Sequence, residues 1–218
     1  MSNKFRDRTQ AGQILAQEVQ QYIHKANINH QNILVLALPR GGVPVAFPVA
    51  KTLDVPLDIC IVRKLGVPGH KELAMGAIAA HGVIILNHDV IETLAISQET
   101  IDLVAAEELQ ELSRRDHAYR GDKPPINVHQ KTVILIDDGI ATGSTIRAAI
   151  TILKQQQPDK IIIATPIAPP DVCQQLQLEV DDVICLQTPE PMSAIGLWYD
   201  DFTQTTDDQV RELLTGSW

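Results

Sequence analysis

Residues 133–150 read VILIDDGIATGSTIRAAI. The apolar run at the start predicts a buried strand, which delivers two adjacent carboxylates, Asp137 and Asp138, into a turn of small residues that opens a helix. Backbone N–H groups of residues 141–145 and the helix N-terminus would form an anion cradle, which an oxyanion can approach closely at Gly143. The stretch therefore predicts a strand–turn–helix unit with an anion site beside two acids.

The composition of this turn excludes two common phosphate sites. No lysine follows it, as a Walker A loop would require, and the chain has no GxGxxG dinucleotide fingerprint. Because carboxylates repel phosphate, the two acids must bind another part of the same ligand, such as sugar hydroxyls. Phosphate and vicinal hydroxyls together indicate a phosphorylated ribose. An acidic corner beside an ordinary helix cap is the alternative.

The rest of the chain alternates strand and helix patterns. Continuous apolar runs predict buried strands at residues 33–38, 57–62, 133–136, 161–164 and 183–186. Helical spacing recurs at residues 11–23, 43–53, 101–115 and 145–156, and again from 171. A hairpin is expected around His81 and Gly82. This order predicts βαβ units and a mainly parallel sheet whose ligands bind at the carboxyl ends of the strands.

Composition narrows the class of protein. The chain has 218 residues, a formal charge of −9 and 44% hydrophobic residues. A chain of this length buries ~70% of its unfolded surface, so one domain is expected. The acidic balance argues against nucleic acid as a partner, and no apolar run is long enough to span a membrane. A polar N-terminus and three scattered cysteines favour the cytoplasm.

Residues 135–145 resemble the phosphoribosyl-pyrophosphate motif of the type I phosphoribosyltransferases, which is an apolar strand, two acids, two variable residues and small-Thr-Gly-x-Thr. The resemblance implies an α/β fold with a mainly parallel five-stranded sheet flanked by helices. It implies that Asp137 and Asp138 bind the ribose hydroxyls. It also implies a 5′-phosphate site made of Ala141, Thr142, Gly143, Ser144 and Thr145.

A second segment, LPRGG at residues 38–42, supports the resemblance. It follows a predicted strand and is similar to the pyrophosphate loop of the same family, which often contains a non-proline cis peptide. We therefore expect a cis bond near Arg40, and a pyrophosphate site formed by Arg40, Gly41, Gly42 and Lys64. A plain Gly-Gly turn is the alternative.

A third segment, RKLGVPGHKELAMG at residues 63–76, concentrates cations in an acidic protein. It resembles the mobile catalytic loop of these enzymes, which closes over the site. The resemblance implies that Arg40 and a loop cation, either Lys71 or Arg63, hold the departing pyrophosphate. Which cation acts stays open, and an ordinary solvated basic loop is the alternative.

The C-terminal tail, from residue 189, carries half of the aromatic residues of the chain. Together with LPRGG, RKLG and DDG-ATG, its WY-DF signature is similar to a bacterial group of predicted phosphoribosyltransferases. The resemblance implies one domain, 1–218, with a core of about 30–188 and a hood of about 189–218 in which Trp198, Tyr199 and Phe202 contact the acceptor. A packing cap is the alternative.

The resemblance also implies a reaction and its participants. Phosphoribose would pass from phosphoribosyl pyrophosphate to a nitrogenous acceptor, with release of pyrophosphate. Mg²⁺ is the expected cofactor, held mainly by substrate oxygens, with Asp137 and Asp138 as further candidate ligands. A homodimer or larger homo-oligomer is expected. A non-catalytic regulator that binds the same ligand and a hydrolase acting on it are the other hypotheses, and the acceptor is not identified.

Overall fold

In the computed structural model, which describes residues 4–79, 82–121, 123–124 and 126–215 apart from the side chains of Lys71 and Glu72, the apolar runs form strands. The strands are β1 (Ile33–Ala37), β2 (Leu57–Ile59), β3 (Val62–Val67), β4 (His70–Ala79), β5 (Ile84–Leu86), β6 (Thr132–Ile136), β7 (Lys160–Ile167) and β8 (Asp182–Gln187). The α-helices are α1 (Arg8–Lys25), α2 (Gly42–Leu53), α3 (His88–Thr93), α4 (Gln98–Arg120), α5 (Ser144–Gln155), α6 (Pro170–Gln177) and α7 (Asp207–Thr215).

The contacts among these elements divide the chain into two compact units. The first unit comprises Met1–Ile59, Pro125–Gly143 and Gln157–Trp218, and the second comprises Cys60–Pro124 and Ser144–Gln156. The expectation of one domain with its core at about 30–188 stays a prediction. No helix in the described part of the chain has the length and apolar character needed to cross a bilayer.

The first unit contains a five-stranded parallel sheet in the order β2-β1-β6-β7-β8. Every residue of β1 and of β6 is buried, and α2 packs against both strands, while α1 and α6 pack against the β7–β8 side of the sheet. The fold class inferred from the sequence is therefore confirmed. The expected strand at 57–62 is wrong in its extent: β2 ends at Ile59, which pairs with Ala37 of β1, and Val62 begins β3, where it pairs with Ala79.

The second unit is built on a three-stranded antiparallel sheet in the order β3-β4-β5. The basic segment 63–76, expected to be a loop, is instead most of a hairpin whose turn holds Gly69 at φ +78°. Leu65 and Met75 are fully buried, which stabilises this hairpin as part of a core. The antiparallel β4–β5 pair confirms the hairpin expected near Gly82, although His81 itself lies outside the described residues.

Helices α1 and α2 of the first unit pack closely at one glycine. The Asp7 carboxylate accepts a hydrogen bond from the Gln10 N–H at 2.8 Å and caps the start of α1. A Cβ atom at Gly12 would overlap the backbone of Val45 on α2, with 2.9 Å to its Cα. The absence of a side chain at Gly12 therefore sets the approach of the two helices.

Replacing Gly12 with alanine tests this packing, because the close contact and the helix propensity predict changes of opposite sign in the free energy of unfolding. In an isolated helix the change would stabilise by about 1 kcal/mol, whereas overpacking against a backbone costs about 1–3 kcal/mol. We expect Gly12→Ala to lower the free energy of unfolding measured in urea. Gln13→Ala, at an exposed position of the same helix, is the control and should change it by less than about 0.5 kcal/mol. Stabilisation by Gly12→Ala would contradict the close contact.

Candidate functional site

The strand order of the first unit places two of the predicted loops side by side. Chain order reverses between β1 and β6, and such switch points form ligand crevices at the carboxyl ends of parallel strands. The Leu38 N–H donates to the Ile136 carbonyl at 2.9 Å, so the loops that follow β1 and β6 start in contact. The sheet therefore brings the LPRGG segment next to the two acids, as the sequence predicts.

The two glycines of the β1 loop make room for the end of β6. A Cβ atom at Gly41 would overlap the Asp138 carboxylate, and one at Gly42 would lie 2.7 Å from the Ile136 carbonyl oxygen. Gly41 has φ −61°, a conformation open to any residue, so space rather than backbone freedom requires glycine there. The Pro39–Arg40 peptide bond is cis, which confirms the expectation near Arg40.

Asp138 is buried and forms an ion pair with Arg8, which lies 130 residues earlier in the chain. The Arg8 Nε donates to Asp138 Oδ2 at 2.7 Å, and the exposed fractions of the two side chains are 11% and 13%. Arg8 also donates through Nη1 to the Thr203 carbonyl at 2.7 Å, and its guanidinium carbon lies 3.8 Å from the centre of the Phe202 ring. Sequence reasoning missed Arg8, since nothing local to it signals a partner 130 residues away.

Asp137, the first acid of the pair, is half-buried. Its Oδ1 accepts a hydrogen bond from the Asp138 N–H at 2.9 Å. Burial, followed by the neighbouring Asp138 charge, raises the pKa of Asp137 well above its ordinary value. Burial also raises the pKa of Asp138, while the hydrogen bond and charge of Arg8 oppose that rise. Asp138 is thus the acid more readily ionised.

The predicted phosphate loop has the expected local shape. Gly143 adopts φ +77°, a conformation that favours glycine, and α5 begins at Ser144 directly after it. Ala141, Thr142 and Thr145 are exposed. Residues up to Gly143 belong to the first unit and those from Ser144 to the second. The role of this loop in phosphate binding stays a prediction.

The predicted cations lie in both units and contact different residues. Arg40 pairs with Asp207 of α7 at 3.3 Å, in the first unit. In the second unit, Arg63 forms an ion pair with Glu108 of α4. Successive strand residues point to opposite faces, so Lys64 faces away from that pair. Lys64 lines a cavity of about 490 Å³ together with Ser144 and other side chains of α5 and β4. The Lys71 side chain lies outside the described residues.

The three predicted acceptor aromatics differ in exposure. Tyr199 is 3% exposed and its hydroxyl donates to the Asp138 carbonyl at 2.6 Å. Its ring lies 5.5 Å from that of Phe5 and 5.0 Å from that of Phe202, in tilted arrangements. Trp198 and Phe202 are half-buried. Tyr199 therefore supports the wall of the corner that holds the acids, and a contact of these aromatics with an acceptor stays a prediction.

The acid pair is a poor metal site by itself. Asp138 already binds the Arg8 cation, and Asp137 accepts from a backbone amide. Among the residues that the structure describes, no group of three or more His, Cys, Asp or Glu side chains could hold a metal ion. Binding of a magnesium ion, held mainly by the oxygens of a phosphorylated ligand, stays a prediction.

Comparison with known proteins agrees with this geometry. The family described as "Phosphoribosyl transferase domain" matches residues 6–190. The chain belongs to this family. A curated relative from Mycobacterium tuberculosis H37Rv, "Putative phosphoribosyl transferase Rv0571c", is 44% identical over 210 residues, which cover 96% of this chain and 46% of the relative. The phosphoribosyl transferase domain described here thus spans about half the length of the curated relatives that it matches.

Solved structures extend the comparison. The protein TT1426 from Thermus thermophilus superposes with a TM-score of 0.88 at 34% identity, over 98% of this chain and 99% of that one. AQ2163 from Aquifex aeolicus gives a TM-score of 0.53 at 11% identity, over 87% and 78% of the two chains. The first is similar in sequence and in structure over nearly the whole of both chains, and the second shares the fold alone.

Burial of Asp137 in this phosphoribosyl transferase domain makes stability depend on pH. A group whose folded pKa is raised favours the folded state at low pH, and that contribution is lost as the pH rises from the unfolded value near 4 towards the folded one. Asp137→Asn removes the titration. We expect the unfolding free energy of the variant, relative to wild type, to rise by up to about 1.4 kcal/mol per pH unit above about pH 5.

Chemical denaturation of both proteins between about pH 5 and pH 8 measures this difference. Asp200→Asn, at an exposed position of the same unit, is the control and should leave the pH dependence of wild type unchanged. A constant difference between Asp137→Asn and wild type across this range would contradict the raised pKa of Asp137.

Proposed function

We propose that the protein transfers the phosphoribosyl group of phosphoribosyl pyrophosphate to a nitrogenous acceptor and releases pyrophosphate. The observation that carries the proposal is the packing of Asp137 and Asp138 against Gly41 and Gly42 at the switch point of a parallel sheet. Carboxylates at this position suit sugar hydroxyls, and the loop that follows suits a phosphate. Membership of the phosphoribosyl transferase family supports the same assignment.

In this proposal, the residues of the switch point bind the sugar. The carboxyl groups of Asp137 and Asp138 form hydrogen bonds with the ribose hydroxyls. Backbone amides of residues 141–145 and the start of α5 bind the 5′-phosphate, where the helix N-terminus favours negative charge. Arg40 and the backbone of Gly41 and Gly42, at the start of α2, would bind the pyrophosphate. Each part of the ligand then meets a group of suitable charge.

The reaction breaks one bond and forms another at the same carbon. The bond between C1 of the ribose and the pyrophosphate oxygen breaks, and its electron pair leaves with the pyrophosphate. A nitrogen lone pair of the acceptor then forms the new bond to C1. The acid pair stabilises the positive charge that develops on the sugar ring. Magnesium, held mainly by substrate oxygens, would neutralise charge on the leaving group.

Two further expectations belong with this function and stay predictions. A reaction that consumes phosphoribosyl pyrophosphate belongs to intracellular nucleotide metabolism, so we infer a cytoplasmic location. We also infer a homodimer or larger homo-oligomer, which analytical ultracentrifugation would measure. The identity of the acceptor has to come from experiment.

Pyrophosphate release tests the proposal. We expect release from phosphoribosyl pyrophosphate with excess magnesium to depend on one acceptor from a panel of purines, pyrimidines and small heterocycles. The double variant Asp137→Asn, Asp138→Asn should lower this rate by at least about a thousandfold, because the developing charge on the sugar loses its electrostatic partner. A continuous coupled pyrophosphate assay measures both rates.

The other outcomes identify other functions. Release without any acceptor would indicate a hydrolase. Tight binding of phosphoribosyl pyrophosphate with no turnover across the panel would indicate a regulator. Full activity of the double variant, confirmed as folded by circular dichroism, would contradict the assignment of the ribose site.

The two faces of β3 provide a test of the basic hairpin. Lys64 lines the cavity shared with Ser144, whereas Arg63 pairs with Glu108 on the opposite face. A charge-assisted hydrogen bond to a phosphate is worth about 1.5–3 kcal/mol, so Lys64→Ala should weaken the binding of phosphoribosyl pyrophosphate by about tenfold or more. Arg114→Ala, which removes an exposed arginine of α4 that pairs with Glu111, is the control and should change it by less than about threefold. Isothermal titration calorimetry measures both, and equal losses would contradict the assignment.

A further inference from the structure

Arg40, the arginine proposed to bind the pyrophosphate, forms an ion pair with an acid of helix α7. Its Nη1 donates to Asp207 Oδ1 at 3.3 Å, and 32% of each side chain is exposed. This contact joins one nitrogen to one oxygen, and it is longer than the roughly 2.8 Å typical of a charge-assisted hydrogen bond. A ligand with several phosphate oxygens offers the planar guanidinium shorter, bidentate contacts, so such a ligand can replace Asp207 at Arg40.

Asp207 is the first residue of α7, and a capping box fixes the start of this helix. The Thr206 hydroxyl accepts a hydrogen bond from the Gln209 N–H at 3.2 Å, and the Thr206 N–H donates to the Gln209 side-chain oxygen at 2.9 Å. The apolar face of α7 is buried, and the helix packs against α2. Because α2 begins at Gly42, the last residue of the LPRGG segment, this packing places Asp207 beside Arg40.

The next residue, Asp208, is an acid in a different setting. Both acids lie in the first turn of α7, where negative charge suits the N-terminus of a helix. The Asp208 side chain is 84% exposed and pairs with Arg211 of the same helix. Asp207 instead contacts Arg40, which is 167 residues away in the chain. Stability of the helix therefore explains an acid at either position, whereas the contact with Arg40 concerns the candidate site.

A carboxylate and a phosphate group bind a guanidinium through the same kind of oxygen contact. If a ligand needs Arg40 released from Asp207, its apparent affinity falls in proportion to the fraction of protein in which Arg40 is released. An ion pair whose partners are each about one-third exposed shifts such an equilibrium by about two- to fivefold. The contact is therefore weak enough for a strong anion to replace and strong enough to change the affinity measurably.

We propose that Asp207 competes with the pyrophosphate group for Arg40 and so sets how tightly that group is held. The ion pair forms in the absence of ligand and is exchanged for a contact between Arg40 and the pyrophosphate when the ligand binds. This inference rests on the proposed function, because it takes Arg40 as the pyrophosphate contact. When pyrophosphate leaves, the ion pair forms again, so Asp207 favours the departure of this product. A ligand without a pyrophosphate group, such as ribose 5-phosphate, does not require the exchange.

Titration calorimetry with phosphoribosyl pyrophosphate and excess magnesium chloride tests the competition. Asp208→Asn is the matched control for Asp207→Asn, because each variant loses one negative charge and one acid from the first turn of α7. We expect Asp207→Asn to bind the ligand about two- to fivefold more tightly than Asp208→Asn does. Asp207→Glu keeps the charge and should bind within about twofold of wild type. Equal affinities of the two asparagine variants, or weaker binding by Asp207→Asn, would overturn the proposal.

A second ligand and a second background show whether the gain acts through Arg40. Ribose 5-phosphate carries the same sugar phosphate without the pyrophosphate group, so Asp207→Asn and Asp208→Asn should bind it equally. Arg40→Gln should bind phosphoribosyl pyrophosphate about tenfold more weakly than wild type. In this background Asp207→Asn and Asp208→Asn should again be equal, because no cation remains to be released. A gain for ribose 5-phosphate, or a gain that persists without Arg40, would show a general effect of charge and overturn the proposal.

Inorganic pyrophosphate with magnesium separates the failure of this inference from that of the proposed function. Asp207→Asn should also bind this probe about two- to fivefold more tightly than Asp208→Asn does. If wild type binds no phosphoribosyl pyrophosphate, the proposed function fails, and the pyrophosphate titrations decide whether Asp207 competes for Arg40. Absence of pyrophosphate binding by both variants would then overturn the inference as well. If wild type binds phosphoribosyl pyrophosphate and Asp207→Asn gains nothing over Asp208→Asn, the inference fails and the proposed function stands.

Discussion

The ion pair between Arg8 and Asp138, 2.7 Å long and largely withdrawn from water, is the contact on which the candidate site depends. A switch point of a parallel sheet offers backbone amides and a crevice, but two adjacent acids buried there destabilise the fold unless a cation meets them. Because Arg8 is the first residue of α1, the candidate site depends on the position of this helix. Binding chemistry and folding thus share one interaction, and substitutions at Arg8 affect both.

A segment near the N-terminus and one near the C-terminus pair with each other beside the loop that carries the two acids. Phe5 donates its N–H to the Trp198 carbonyl at 2.9 Å and accepts from the Asp200 N–H at 2.8 Å. Behind this pairing, Tyr199 packs on Phe5 and Phe202, while Ile195 occupies the space beside Gly139. Through these contacts and the hydrogen bond from its hydroxyl to the Asp138 carbonyl, Tyr199 supports the loop that carries the acids. The packing-cap interpretation of the tail therefore describes Tyr199 well.

Prediction from sequence succeeded where the signal is local. Continuous apolar runs gave the five strands of the parallel sheet, and the DDG-ATG stretch gave the turn with Gly143 at positive φ. It was wrong for residues 63–76, because three glycines and several cations are as typical of a loop as of a hairpin whose opposite face is buried at Leu65. It missed Arg8, because a contact with Asp138 depends on tertiary packing and leaves no periodic pattern in the chain.

The net charge of the chain gives little information about the charge of the site. A formal charge of −9 would repel an anionic substrate if it were spread evenly. Instead, Asp138 binds Arg8, Asp137 accepts a backbone N–H beside it, and the loop that follows offers backbone amides. Local neutralisation of this kind lets a protein keep carboxylates next to a phosphate site. Because burial weakens screening by water and salt, the corner should keep this balance at ionic strengths that remove the long-range field of the surface.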